Sequence, residues 1–571
     1  MSMNKTSLFR WSIKHDVPKK HIACLRKISR ELNISFLLAK LLWDRGIRSK
    51  KDIYLFLNPS LKYLKPLSSI KNLKEAARFV ATILKQGQKI AIWGDYDVDG
   101  ITSTAILVDF FRKKGFSPIY YIPDRFEEGY GLNIYGLKKL VSQGVKCIIT
   151  VDSGISNVEE VKWLKDKGVH VVITDHHLPG DDLPDADFIV NPKLGGEGYY
   201  NVAGVGIAFL FMAALNKEFS PSLDIREYLD LVAIGTIADV VPMDLDNRIL
   251  VKNGLLVLNE TKRPGIIALK EVSGLNKGAK IGTYEVGYML SPRLNACGRM
   301  AKGMLGVELL LAQDMKYAQK LAKELDTYND LRKKEEDKIL KEALDKCDKK
   351  GDVHGVVLYN EDWHEGIIGI VASRICEKVY RPTILLTGKN GIIKGSGRSI
   401  PQVDLYAVLK SCKPYLKKFG GHKQAAGLSL EPHMIEDFEK AFVETIKDMI
   451  GDEDLIPQIT IDYTISFAEI NYSLIKELEM LEPYGPGNPE PLFSSYKLFV
   501  KKSKIVGEEH VFLELRDEIS KRTLWGKAWK MKDFIPKNIE GKYIDVAFYP
   551  KISTYNGLIG IDLYIKDLII A

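Results

Sequence analysis

The chain has 571 residues, 46% hydrophobic and 27% charged, the balance of a soluble globular protein with three or four domains rather than a single core. Its 82 basic and 74 acidic residues leave a formal charge of +8, which permits a polyanionic partner without demanding one. Six scattered cysteines (Cys24, Cys147, Cys297, Cys347, Cys376, Cys412) exclude a disulfide frame or zinc knuckle and point to reduced core thiols in a cytoplasmic protein.

Lys5, Arg10, Lys14, His15 and Asp16 open the chain with no apolar core of a secretory signal. Residues 1–74 read as an N-terminal helical segment and residues 75–303 as an α/β catalytic domain. There Lys89–Trp93, Ile119–Ile122, Val145–Val151, Val169–Thr174 and Asp187–Val190 predict strands. Thr102–Lys114, Ile134–Gln143 and Glu159–Lys167 predict the helices between them. This alternation is that of a doubly wound parallel sheet, which binds ligands beyond the carboxyl ends of its strands. Val202–Leu215 is the longest apolar run, too short for a membrane span of roughly 20 residues, and predicts a buried helix. Residues 304–350 predict a long connecting helix, with Leu311, Met315, Ala318, Ala322 and Leu325 on one apolar stripe. Residues 351–453 form a second α/β unit. From 454 to 571 the texture turns to short alternating runs at Gln458–Tyr463, Leu498–Val506, His510–Leu515, Thr523–Trp529, Tyr543–Tyr549 and Gly557–Lys566, as in a five-stranded nucleic-acid-binding barrel.

The chemistry sits at the strand ends. Asp95, Asp97 and Asp99 follow the first apolar run, Asp152 the third, and Asp175-His176-His177 the fourth, while Asp239 interrupts the apolar stretch Ile234–Val241. A single Asp of the first cluster reads more readily as a helix cap than as a ligand, and Asp152 alone reads equally well as a turn residue. Three within five residues repel one another unless a cation neutralises them, and a buried unpaired carboxylate such as Asp239 is costly. Oxygen ligands with one or two imidazoles favour Mn²⁺ or Mg²⁺ over a structural zinc. Among the basic residues, Arg398 beside Ser396 on a Gly-flanked turn makes a bidentate phosphate clamp. Arg125 and Arg293 read equally as surface ion-pair partners. Phe512, Trp525, Trp529 and Phe548 read more readily as barrel core than as stacking platforms.

Gly94-Asp95-Tyr96-Asp97-Val98-Asp99-Gly100, Val151-Asp152-Ser153-Gly154, Asp175-His176-His177 and Ile237-Ala238-Asp239 resemble, in order, the four motifs of the DHH phosphoesterase superfamily. Ser291–Ala296, Trp363–Gly369, Ser396–Ser399, Gly420-Gly421-His422 and Glu482–Pro489 resemble its bacterial RecJ branch of single-stranded-DNA-specific exonucleases. The resemblance implies a multidomain α/β fold. A parallel-sheet DHH domain and a DHHA1 domain are joined by a long helix and followed by a C-terminal OB-fold β-barrel. It implies two ions, Mn²⁺ or Mg²⁺: Asp99, His176 and Asp239 would hold one, Asp95 and Asp97 the other, with Asp152 bridging and His177 near the scissile phosphate. Arg125, Ser396 and Arg398 would hold the 5′ phosphate and Arg293 would lie near the scissile one. Asn295, Gly420, Gly421 and His422 would line the DNA path. Trp93 stands where other superfamily members carry a histidine. The implied activity is 5′→3′ hydrolysis of single-stranded DNA to 5′-mononucleotides in DNA repair and recombination, by a cytoplasmic monomer partnered with a helicase and a single-stranded-DNA-binding protein. The alternative is an oligonucleotide or cyclic-dinucleotide phosphodiesterase of the same superfamily, which lacks the barrel.

Overall fold

The computed structural model describes residues 7–15, 17–195, 198–276, 278–351, 353–388, 391–555 and 558–570, so Lys5, Asp16 and Gly557 lie outside the described residues. The chain divides into two compact units, Tyr54–Lys333 with Pro483–Pro489, and Met1–Ile53 with Lys334–Glu482 and Glu490–Ala571.

The unit around Tyr54–Lys333 is built on a five-stranded, all-parallel sheet in the spatial order Ile119–Tyr121, Ile90–Trp93, Cys147–Val151, His170–Thr174, Phe188–Val190. The strands are mostly apolar, without a polar alternation, because both faces are covered. Ile90 and Ile92 point into one core with the helices Leu73–Lys85, Val98–Lys113 and Gly204–Glu218, while Ala91 and Trp93 point into the other with Ile134–Ser142 and Val158–Asp166. Strand order reverses between Ile90–Trp93 and Cys147–Val151, which opens a crevice at their carboxyl ends. Gly204–Glu218 is the buried helix expected from Val202–Leu215. Leu229–Ala238 is a second helix with all but its last two residues buried, and it ends at Asp239.

The continuous helix expected over 304–350 is two helices. Met304–Leu311 ends where Ala312 turns to extended backbone, and Met315–Lys350 then runs 36 residues, roughly 54 Å, through Tyr328 without a break.

In the other unit, a five-stranded sheet runs Lys418–His422, Ala425–Leu430, Ile393–Arg398, Thr383–Thr387, Val356–Tyr359. The C-terminal strands Phe493–Val506, His510–Asp517, Thr523–Ala528, Leu558–Ile570 and Tyr543–Tyr555 form a ring, because Tyr543–Tyr555 also pairs with Phe493–Val506 and closes the barrel. The N-terminal segment departs from the expected helical segment over 1–74. Arg10–Ile13 is a strand lying parallel to Gln458–Ile461, while the helices Lys19–Leu32, Phe36–Asp44, Lys50–Leu57, the short helical turns Leu61–Tyr63 and Leu67–Ser69 and the start of Leu73–Lys85 fit that reading. Five cysteines are buried as expected, but Cys24 is exposed.

Candidate metal centre

The loops after Ile90–Trp93, Cys147–Val151 and His170–Thr174 each deliver part of one cluster. After Ile90–Trp93 the chain turns through Asp95 and Asp97 into the helix Val98–Lys113, whose N-cap is Asp97: its Oδ1 accepts the backbone N–H groups of Asp99 (3.0 Å) and Gly100 (3.1 Å). The capping reading of Asp97 therefore holds alongside its place in the cluster. That helix begins earlier than its apolar periodicity suggested, which puts Asp99 in its first turn. Gly100 is required there, since a Cβ would lie 2.5 Å from the Asp95 backbone. Asp99 is aimed by the start of the helix Gly204–Glu218, its two oxygens accepting the N–H groups of Gly204 and Val205 at 2.7 Å each.

Asp152 follows Cys147–Val151 in left-handed backbone (φ 57°), and a Cβ on Gly204 would meet its carboxylate at 2.6 Å. Asp175 follows His170–Thr174 but serves the cluster from behind. It is completely buried, its Oδ1 accepts from the His176 N–H (2.7 Å), the His177 N–H (3.1 Å) and His177 Nδ1 (2.8 Å), and its Oδ2 accepts from Ile155 (3.0 Å).

These turns place His176 Nε2 at 3.1 Å from Asp152 Oδ1, 3.6 Å from Asp239 Oδ2 and 3.8 Å from Asp99 Oδ2. Among the described residues, ligand atoms within 4.8 Å of one another fall into three sets: Asp99, His176 and Asp239; Asp95, Asp97 and Asp152; and Asp152, His176 and His177. Burial, then the charge of Asp239, pushes the Asp99 carboxyl far above the usual range. Burial, then Asp99, does the same to Asp152, and burial, then Asp97, to Asp95. Burial and then Asp97 raise Asp239 to about 7. Burial, then His177, lowers His176 to about 3, so it presents the neutral imidazole that a metal takes as ligand.

The residues fit divalent cations. Asp95 Oδ1, Asp152 Oδ1, His176 Nε2 and Asp239 Oδ2 are all buried and make no hydrogen bond. Buried polar atoms seldom remain unpaired, and mutually repelling carboxylates do not share such a space without positive charge. The oxygen-rich donor set with neutral imidazole suits Mn²⁺ or Mg²⁺.

Other predicted site residues lie apart from these sets. Arg125 stacks on the Tyr96 ring (5.0 Å) and contributes positive charge at Asp95. Arg293 directs its guanidinium inward, to Asp326 Oδ1 (2.8 Å) and to the carbonyls of Met289 (2.6 Å) and Val272 (3.1 Å). Asn295 accepts the Val98 N–H at 3.2 Å and so steadies the acid loop. Ser396 and Arg398 are on the strand Ile393–Arg398, Arg398 Nη1 lying 3.3 Å from Ser396 Oγ and 2.7 Å from the Gly397 carbonyl. Gly420, Gly421 and His422 are exposed on the edge strand Lys418–His422.

Sequence reasoning missed Tyr130, Asn191 and Lys193. Tyr130 Oη donates to the Asp152 carbonyl (3.2 Å) and lies 3.1 Å from His177 Nδ1. Asn191 Nδ2 donates to the His177 carbonyl (2.9 Å), and Lys193 Nζ donates to that of His176. Signals existed: Tyr130 sits between Gly129 and Gly131, both at positive φ, and Asn191 follows the last strand of the sheet. Trp93 is part of the same support. It is fully buried, stacks on Tyr121 (4.6 Å) and donates Nε1–H to the Gly131 carbonyl (3.2 Å), holding the loop that carries Tyr130.

Residues 89–236 match the DHH family, N-terminal domain; residues 352–448 match the DHHA1 domain; and residues 461–567 match the RecJ OB domain. The chain is 36% identical to the single-stranded-DNA-specific exonuclease RecJ of Bacillus subtilis, over 98% of this chain and 71% of that one. It is 35% identical to RecJ of Escherichia coli, over 93% and 95%. The crystal structure of RecJ in complex with Mn²⁺ from Thermus thermophilus superimposes with a TM-score of 0.84 at 31% identity, covering 98% of this chain and 79% of that one. The Mg²⁺ complex from the same organism gives 0.79 at 30% identity over 98% and 78%. The barrel at 461–567 disfavours the small phosphodiesterase alternative. Among the described residues, no helix is long and apolar enough to cross a membrane.

Proposed function

This chain belongs to the RecJ family of single-stranded-DNA-specific exonucleases, and from that membership we propose that it hydrolyses single-stranded DNA from the 5′ end, one 5′-mononucleotide at a time. It is a metal-dependent hydrolase that acts on single-stranded DNA, and its proposed setting is DNA repair and recombination. The observation that carries the assignment of chemistry to this cluster is the set of buried, unpaired ligand atoms on Asp95, Asp152, His176 and Asp239.

When bound there, two divalent cations supply the charge that activates a water and offsets the negative charge of an in-line displacement at phosphorus. Asp99, His176 and Asp239 are assigned to one ion, Asp95 and Asp97 to the second, and Asp152 to both, following the ligand atoms that lie together. His177 has a side chain 45% exposed and its Nδ1 engaged by Asp175, which leaves Nε2 for the scissile phosphate. Arg125 is assigned to a substrate phosphate next to Asp95. Ser396 and Arg398 are assigned to the terminal 5′ phosphate, where a guanidinium beside a hydroxyl recognises the extra charge of a chain end. No Ser or Cys nucleophile is needed. The test is to follow label release from 5′-labelled and 3′-labelled single strands with Mn²⁺ and with EDTA. Mononucleotide released first from the 5′ end, with Mn²⁺ alone, is expected; release from the 3′ end first, or release in EDTA, overturns the reading.

A further inference from the structure

The loop Pro483-Tyr484-Gly485-Pro486-Gly487-Asn488-Pro489 belongs by its contacts to the unit that holds the metal centre, although its flanks Glu482 and Glu490 belong to the other. It is closed on itself: Gly485 and Asn488 exchange backbone hydrogen bonds at 3.0 Å in both directions, and the buried Asn488 side chain donates to the Pro483 carbonyl at 2.9 Å. Its outer face meets Pro242 and Met243. The Met243 N–H donates to the Pro486 carbonyl at 2.7 Å, and Gly487, at φ +75°, lies against Pro242. Gly485 has no room for a side chain, because a Cβ would sit 2.8 Å from Met243 Cγ.

Pro242 and Met243 come three and four residues after Asp239, which caps the helix Leu229–Ala238. Between them Val240 takes left-handed backbone (φ 59°), an unfavourable conformation for a β-branched residue, with its side chain 65% exposed. Its own side-chain packing does not impose that turn, so the restraint comes from the segment on either side. On the far side two restraints act: Asn247 Nδ2 donates to the Pro242 carbonyl at 2.7 Å, and the loop grips Met243.

We propose that the Gly485–Asn488 loop is a positioning device for the metal ligand Asp239. By fixing Met243 it enforces the strained turn at Val240 and so holds the Asp239 carboxylate beside His176. The inference rests on the ligand assignment above. A residue that acts through a ligand in this way changes metal affinity by about ten- to hundredfold when it is altered.

The test is Mn²⁺ titration calorimetry on the full chain, with the melting temperature of the metal-free protein measured in parallel. Gly485→Ala is expected to weaken one Mn²⁺ equivalent about tenfold or more, leave the other unchanged and leave metal-free melting near the parent value. Adding Met243→Ala, which opens space for the new methyl, is expected to recover most of that affinity. Asp239→Ala separates the two hypotheses: if it leaves both equivalents unchanged, the ligand assignment fails, whatever the loop does. If Asp239→Ala removes one equivalent while Gly485→Ala binds both ions as the parent does, or weakens both alike with no recovery in the double variant, the positioning role is overturned. Should Gly485→Ala fail to fold, Gly487→Ala carries the same comparison, since it strains the loop backbone with no contact closer than 3.7 Å.

Discussion

Asp175 Oδ1 lies 2.8 Å from His177 Nδ1 and also accepts the His177 backbone N–H at 3.1 Å, so one wholly buried carboxylate fixes both the ring and the main chain of its neighbour. Burial opposes charge on Asp175, but the His177 ring and backbone donors outweigh it and hold the carboxyl below its usual range. In return, although burial alone would lower it, Asp175 raises the pKa of His177. Asp175 is thus the orienting partner behind the two histidines, in the manner of the carboxylates that back metal-site imidazoles. Asp175→Asn removes the negative charge that the His177 ring donates to and sets an amide NH2 against an existing donor, either the Ile155 N–H at Oδ2 or the histidine donors at Oδ1. The expected outcome is a ten- to hundredfold fall in kcat at saturating Mn²⁺. Unchanged kcat would show that the orientation of His177 does not matter to turnover.

Asp99 and His176 make the sharpest test of the cluster. Asp99→Ala or His176→Ala is expected to abolish hydrolysis in Mn²⁺ while single-strand affinity, measured by fluorescence anisotropy, stays within a few-fold of the parent. Phosphate contacts elsewhere still supply most of the binding. Near-normal turnover by either variant would remove that residue from the site.

The raised carboxyls predict a pH dependence of metal stabilisation. Asp239 moves from 3.8 to about 7 in the fold, and Asp95, Asp99 and Asp152 also move up. A folded pKa above the unfolded one means that the metal-free fold binds more protons than the unfolded chain in that window, so these groups make it less stable as pH rises from about 4 to about 7. Metal binding requires the deprotonated forms. The Mn²⁺-induced rise in melting temperature is therefore expected to be several degrees larger at pH 8 than at pH 6. An equal rise at both values would mean that the acids are already ionised without metal.

Much of this centre was legible because local pattern and global role coincide. In a parallel sheet covered on both faces, strands must be continuous apolar runs, so the change to Asp or His at Asp95, Asp152 and Asp175 marks the strand ends where ligands gather. What the sequence hides is which polar atoms are already spent. Asp175 looks like a ligand but gives its oxygens to four donors, and Asn295, which the motif suggests for substrate, gives its oxygen to Val98. Arg293, expected near phosphate, is occupied by Asp326 and two carbonyls from elements distant in the chain. Such pairings depend on tertiary neighbours that no periodicity encodes. The N-terminal strand Arg10–Ile13 was missed for the same reason, since its partner lies more than 440 residues away.

The barrel aromatics divide in the same way. Phe548 is buried in the core, whereas Trp529 is 44% exposed and meets His510, Phe512 and Tyr564 at ring distances of 4.7, 5.4 and 6.3 Å. Lys527 lies over Phe512 and Tyr564 at 5.6 and 5.8 Å. Trp529 is the exposed member of this cluster, Lys527 being paired with Asp562 Oδ2 at 2.6 Å, and an exposed indole offers a nucleobase a stacking surface. Trp529→Ala is expected to weaken single-strand binding by roughly 1–3 kcal/mol, while kcat at saturating strand and Mn²⁺ stays near the parent value. An unchanged Kd for a long strand would assign the cluster to barrel packing alone.

The proposed 5′ polarity is assigned to Ser396 and Arg398, whose side chains already touch at 3.3 Å on the strand Ile393–Arg398. Gly369 makes that neighbourhood possible, because a Cβ there would lie 2.9 Å from Ser396 Oγ and 3.4 Å from Arg398 Nη2. A terminal phosphate carries more charge than an internal phosphodiester, so a guanidinium beside a hydroxyl discriminates a chain end from a chain middle. A charge-assisted contact of this kind is worth about 1.5–3 kcal/mol, or roughly ten- to hundredfold in kcat/KM. Arg398→Ala is expected to lose that factor on 5′-phosphorylated strands and little on 5′-hydroxyl strands, and Gly369→Ser is expected to do the same by crowding the pair. Equal losses on both substrates would place Arg398 along the strand instead of at its end, and the 5′ anchor would have to be sought elsewhere.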